Sequence, residues 1–122
     1  MRRILIIDDE PQIRLLLKKM LEKEGFNVIT ASDGKEGMKL FNKEPFDLVI
    51  TDIIMPEKEG IEIIQELRKN HPNLPIIAIS GGGRNSSDSY LKMAKMFGAN
   101  EIFEKPVEKQ KLINAIKTAL HK

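Results

Sequence analysis

Ile4-Leu5-Ile6-Ile7-Asp8-Asp9-Glu10-Pro11 runs from four branched aliphatic residues into three acids and then a proline. The aliphatic run carries no polar residue at alternate positions, so it reads as a strand buried on both faces rather than one with a wet side. Pro11 suits the first turn of a helix. After it, Ile13, Leu16, Leu17, Met20 and Leu21 recur at i, i+3, i+4, i+7 and i+8, which is one face of an amphipathic helix. Gly25 stands where such a helix needs a C′ residue. A doubly buried strand followed at once by a helix is the unit from which parallel sheets are built.

The same unit recurs outward along the chain. Phe26–Ile29, Phe46–Ile50, Ile76–Ile79 and, more weakly, Glu101–Glu104 read as further strands. Helical spacing follows in Lys35–Asn42, in Ile61, Ile64 and Leu67, in Tyr90, Ala94 and Phe97, and in Leu112, Ile116, Ala119 and Leu120. Asp33-Gly34, Glu44-Pro45, His71-Pro72, Gly98 and Lys105-Pro106 punctuate the units as turns. Five alternating strands and helices, joined by right-handed crossovers, predict an α/β, doubly wound five-stranded parallel sheet in the order 2-1-3-4-5.

Composition narrows the chemistry. The chain has 122 residues, 41% hydrophobic and 31% charged, so one globular domain over 1–122 with no second domain is expected. Twenty basic against eighteen acidic residues give a formal +2, with the signs interspersed, so no nucleic-acid stripe or membrane patch is expected. No cysteine is present, which removes disulfides, thiolate nucleophiles and Cys-based zinc sites. His71 and His121, one in a loop and one near the terminus, are expected to be exposed rather than functional. Apolar runs are as short as Ile4-Leu5-Ile6-Ile7 and no signal peptide is visible, so a cytoplasmic domain is expected.

In an open parallel sheet, ligands bind beyond the carboxyl ends of the strands, where the strand order reverses. Asp8, Asp9 and Glu10 follow the first strand, Thr51 and Asp52 the third, Ser80 and Gly81-Gly82-Gly83 the fourth, and Lys105 the fifth. First and third strands are neighbours in this order, so Asp8, Asp9 and Asp52 should converge beside Ser80 and Lys105. Two like charges about 4 Å apart repel by roughly 4 kcal/mol at an effective dielectric near 20. One lysine does not neutralise three carboxylates; a hard divalent cation does. Mg²⁺ typically takes one or two carboxylates with waters and a phosphate oxygen, and a carboxylate can serve as nucleophile towards a phosphoryl group. Taken one at a time, the acids also read as helix N-terminal residues, Asp52 as a turn residue and Lys105 as a surface lysine.

These motifs in this order resemble the receiver domain of bacterial and archaeal two-component response regulators over essentially the whole chain. The resemblance rests on residues 4–10, Asp-Leu-Val-Ile-Thr-Asp-Ile-Ile-Met-Pro at 47–56, Ile-Ala-Ile-Ser-Gly at 77–81, Gly98-Ala99 and Lys105-Pro106. It implies the flavodoxin-like receiver fold and a phosphoacceptor at Asp52, fed by a sensor histidine kinase or a phosphotransfer protein. It further implies Mg²⁺ (or Mn²⁺) held by Asp8, Asp9, Asp52 and the backbone carbonyl of Ile54, with Asp8 acting largely through a water. Ser80 and Lys105 would bind phosphoryl oxygens, and Gly81 would be the small residue beside them. Phosphorylation would reposition the face of the fourth helix, fifth strand and fifth helix, the expected docking surface for a downstream protein. The chain would then be a signalling domain rather than an enzyme, monomeric or dimerising on phosphorylation.

The chain departs from that pattern in places. Many receivers carry an aromatic switch residue three positions before the lysine; here Ile102 stands there and Phe103 follows, and strand alternation puts the two on opposite faces. Gly81-Gly82-Gly83 is followed by Arg84-Asn85-Ser86-Ser87-Asp88 without Gly-Lys-Ser/Thr, so a loop over the acidic site is expected rather than a nucleotide cradle. Ile54 and Gly82 hold positions that tune phosphoryl hydrolysis, and they push in opposite directions. Two other readings compete: a haloacid-dehalogenase-like aspartyl phosphatase, which wants an acid where Ile54 stands, and a phosphate-independent pseudo-receiver. A flavin-binding module of the same topology would need a hydroxyl-rich loop where Asp8-Asp9-Glu10 would repel phosphate.

Overall fold

The structure is a computed structural model that describes residues 2–53, 60–81 and 92–121. Within them the chain alternates β1 (Arg3–Ile7), α1 (Pro11–Lys23), β2 (Asn27–Ala31), α2 (Gly34–Lys43), β3 (Leu48–Asp52), α3 (Gly60–Asn70), β4 (Ile76–Ser80), helical residues 92–96 (α4), β5 (Glu101–Glu104) and α5 (Lys109–Leu120). All four strand pairings are parallel, in the order β2-β1-β3-β4-β5, as the alternation predicts.

Every residue of β3 and β4 is buried, and so are Ile4–Ile7, because helices cover both faces of the sheet. On one face Ile4, Ile6, Leu48, Ile50, Ile77 and Ile79 meet Leu17 and Leu21 of α1 and Leu112, Ile113, Ile116 and Leu120 of α5. On the other, Leu5, Ile7, Val49, Ile76 and Ala78 meet side chains of α2 and α3, with Ala94 of α4. Burying one such aliphatic side chain contributes roughly 1.5–3 kcal/mol, so the strand ends are carried on a stiff platform.

Local signals set the joints. Gly25 has φ +94°, its N–H donates to Glu22 and that of Phe26 to Leu21, the paired bonds of a Schellman end for α1. Asp33 caps α2 by accepting from the Glu36 N–H at 2.8 Å, while Glu36 accepts from the Ser32 N–H at 2.6 Å.

Three expectations need correction. Leu16 is 56% exposed: the helix rests on Leu17 and Leu21, with Ile13 and Met20 at the margin, and Leu16 falls outside this narrower stripe. Phe97 lies in the turn after α4 and is partly exposed rather than core. Phe26 and Phe46 precede their strands instead of starting them. Tyr90 lies outside the described residues.

Candidate functional site

The register of the sheet builds the site. β1 and β3 pair directly, with Ile7 opposite Thr51, so Asp8 and Asp52 emerge side by side at their carboxyl ends. The ladders run on past the strand ends: Asp8 N–H donates to Ala31, Ile53 N–H to Ile79, and Lys105 N–H to Ser80. These bonds fix the backbone under each functional side chain.

Carboxylate oxygens of Asp8, Asp9, Glu10 and Asp52 all lie within 4.8 Å of one another. Asp8 and Asp52 are buried, whereas Asp9 and Glu10 face solvent, so the cluster has a closed floor and an open mouth. Asp8 Oδ1 accepts from the Glu10 N–H at 2.9 Å, and the Asp8 carbonyl accepts from Arg14 Nη1 at 2.7 Å. Lys105 reaches into the cluster: its Nζ lies 2.8 Å from Glu10 Oε1, 2.9 Å from Asp8 Oδ2 and 3.1 Å from Asp52 Oδ2. Burial by itself would lower the Lys105 pKa. Hydrogen bonds to Glu10 and Asp8 and the charges of Asp52 and Asp8 outweigh it and hold the ammonium well above the ordinary lysine value.

Three of the four carboxylates thus share the Lys105 ammonium, and Asp9 completes the cluster. Asp8 Oδ2 is buried and, beyond its ion contact with Lys105, makes no aligned hydrogen bond among the described residues. Oxygen-only donors, one of them buried and under-satisfied, with an open side for water, are the donor set of a hard divalent cation such as Mg²⁺. Asp8, Asp9 and Asp52 fit that group. The Ile54 carbonyl lies outside the described residues.

Ser80 is fully buried at the end of β4, next to β3, where Ile79 stands opposite Asp52. Gly81 follows it, and a Cβ there would meet no atom of the described residues within 4 Å. Ile102 packs against the core on one face of the sheet and Phe103 against the core on the other, as alternation requires. The Lys105-Pro106 peptide is cis. Gly82 and Gly83 lie outside the described residues.

Sequence reasoning missed two participants. Glu10 reads as a helix-start acid, yet it grips Lys105; its signal was only its place after Asp8-Asp9. Arg14, which steadies the Asp8 carbonyl, gave none. A cleft at the opposite end of the sheet, lined by Arg2, Asp47, Arg68 and Asn100, offers no rival site. The Arg68 guanidinium already donates to Gly98, His71, Pro72 and Asn100.

A parallel 2-1-3-4-5 sheet with an acid cluster and a lysine at its carboxyl edge invites comparison with known proteins. The family model for the response regulator receiver domain matches residues 4–117. The chain belongs to that family. This receiver is 37% identical to the transcriptional regulatory protein GlrR of Escherichia coli over 117 residues, 96% of this chain and 26% of GlrR. It therefore spans about a quarter of that relative's length. A receiver domain protein from Clostridium thermocellum superposes with TM-score 0.91 at 36% identity, covering 99% of this chain and 95% of that one. TrrA of Thermotoga maritima, solved in complex with Mg²⁺–BeF, superposes with TM-score 0.86 at 37% identity, covering 98% and 100%. The receiver has the phosphoacceptor role of two-component signalling and the acidic pocket at which receivers generally bind Mg²⁺. Receivers as a class partner with histidine kinases and downstream effectors. Among the described residues, no helix is long and apolar enough to cross a membrane.

Proposed function

We propose that Asp52 is the phosphoacceptor of this receiver and that Asp8, Asp9 and Asp52 hold Mg²⁺ or Mn²⁺, with the Ile54 carbonyl as a further ligand. The observation that carries this reading is Asp52 itself. It is buried at the end of β3, 3.1 Å from Lys105, among carboxylates that lie within 4.8 Å of one another. When bound, the cation neutralises charge on the carboxylates and on the incoming phosphoryl oxygens.

The rest is done by the chain. An Asp52 carboxylate oxygen forms the new P–O bond as the P–N bond of a kinase or phosphotransfer-protein phosphohistidine breaks; the electron pair stays on the imidazole nitrogen, which takes a proton from solvent. Lys105 leaves Asp52 to pair with a phosphoryl oxygen, and the Ser80 hydroxyl donates to another, with Gly81 leaving room beside them. TrrA in complex with Mg²⁺–BeF supports this reading by similarity.

We further read the chain as a single receiver domain, non-enzymatic and cytoplasmic, with no direct nucleic-acid or membrane contact. Its output runs through the α4–β5–α5 face, where Met93, Met96 and Phe97 stand exposed. It is a monomer, or a dimer formed on phosphorylation.

Intact-protein mass after incubation with acetyl phosphate tests the site. One phosphoryl adduct that requires Mg²⁺ and is absent in Asp52→Asn is the expected result. An adduct that persists in Asp52→Asn, or none at all in the wild type, would overturn it.

A further inference from the structure

Gly60 opens α3 and packs against the main chain that carries Asp52. Its N–H donates to the Ile53 carbonyl at 2.7 Å, closing the connection between β3 and α3. A Cβ placed on Gly60 would collide with the Asp52 carbonyl oxygen and lie 2.9 Å from the Asp52 carbonyl carbon and 2.6 Å from Ile53 Cα. These are backbone atoms, and they have little freedom to yield. The Ile53 N–H is bonded to Ile79 of β4, and the Thr51 hydroxyl donates to the Asp52 carbonyl at 2.9 Å.

A methyl group at position 60 must therefore push Gly60 and the Asp52–Ile53 peptide apart, and whatever share the peptide takes moves the Asp52 carboxylate with it. Asp8, Asp9 and Lys105 are carried by other segments, β1 and β5, and would not move along. The geometry points to Gly60 as a positioning residue: its missing side chain sets the place of the Asp52 carboxylate against the acids and Lys105. This rests on the reading of Asp52 as the acceptor.

A second crowded glycine supplies the control. A Cβ on Gly37 would collide with Ile7 Cδ1 and lie 2.7 Å from Ile7 Cγ1, a side chain that can shift. Gly37→Ala should thus strain the packing of α2 on β1 without touching the Asp52 main chain.

The test compares wild type, Gly60→Ala, Gly37→Ala and Asp52→Asn, each below its melting midpoint. The readouts are the rate of acetyl phosphate labelling at saturating Mg²⁺ and the Mg²⁺ dissociation constant. Displacement of a reacting group by about 1 Å can cost about 100-fold in rate, so Gly60→Ala should label about 10- to 100-fold slower and bind Mg²⁺ more weakly. Gly37→Ala should label at the wild-type rate whatever its melting point. Equal labelling by Gly60→Ala and wild type, with Asp52→Asn silent, overturns the role of Gly60 and leaves Asp52 in place. Labelling that survives in Asp52→Asn overturns both.

If Gly60→Ala does not fold, the wild type still decides. Its Gly60 amide resonance should shift on adding Mg²⁺ and beryllofluoride, and the Gly37 resonance should not. A stationary Gly60 signal would end the proposal.

Discussion

Lys105 shows how much one residue can carry at a strand end. Its ammonium touches three carboxylates, and its pKa is held above the ordinary 10.5, with hydrogen bonds and nearby negative charge outweighing the burial that would lower it. A raised folded-state value means that its stabilising contribution is present below the unfolded value and lost only as pH rises through the folded one. Lys105→Met should therefore be less stable than wild type by about 2 kcal/mol without Mg²⁺. That lies below the roughly 3–5 kcal/mol for breaking a fully buried pair, because Asp9 and Glu10 are open to water. Urea unfolding of both proteins should show a constant gap from about pH 7 to pH 10, shrinking only above lysine's ordinary value. A gap already closed at pH 8 would contradict this account. Lys105, Asp8, Asp9 and Asp52 were legible in the sequence because strand ends in a parallel sheet converge. Glu10 and Arg14 were not, because their roles depend on where the chain turns after Asp8.

At the scale of elements, α1 separates pattern from packing. Ile13, Leu16, Leu17, Met20 and Leu21 satisfy a helical stripe, yet Leu17 is 2% exposed and Leu16 56%. Period alone gives a face about 100° wide; the line of contact within it is set by the sheet beneath. Leu17→Ala should cost about 2–5 kcal/mol, the usual range for a buried leucine, and Leu16→Ala under about 0.5 kcal/mol. Denaturant midpoints of the two variants read this directly, and equal losses would place the stripe where the periodicity alone puts it. β5 illustrates the opposite case. Ile102 and Phe103 divide between the two faces as strict two-residue alternation demands, because a strand offers no third option.

For the whole molecule, folding and cation binding are linked through the acid cluster. Folding gathers four carboxylates that the unfolded chain keeps apart, so a cation that binds the gathered set should stabilise the fold. At about 100 times its dissociation constant, Mg²⁺ should add about 2.7 kcal/mol, which for a chain of this size is a rise of about ten degrees in melting temperature. Calorimetry with Mg²⁺ and with chelator should show that rise in the wild type and lose most of it in Asp9→Asn. An unchanged midpoint in the wild type would mean that the cluster does not bind the ion.

The sequence by itself determined the alternation of strands and helices, the parallel sheet and its order, and the residues at each strand end. These follow from periodicity and from the rule that polar residues beyond doubly buried strands collect on one edge. Only the tertiary structure decided which leucine of α1 enters the core, that Glu10 and Arg14 join the site, and that Gly60 presses on the Asp52 backbone. Those are matters of distance between segments far apart in the chain, which local propensity and spacing do not encode.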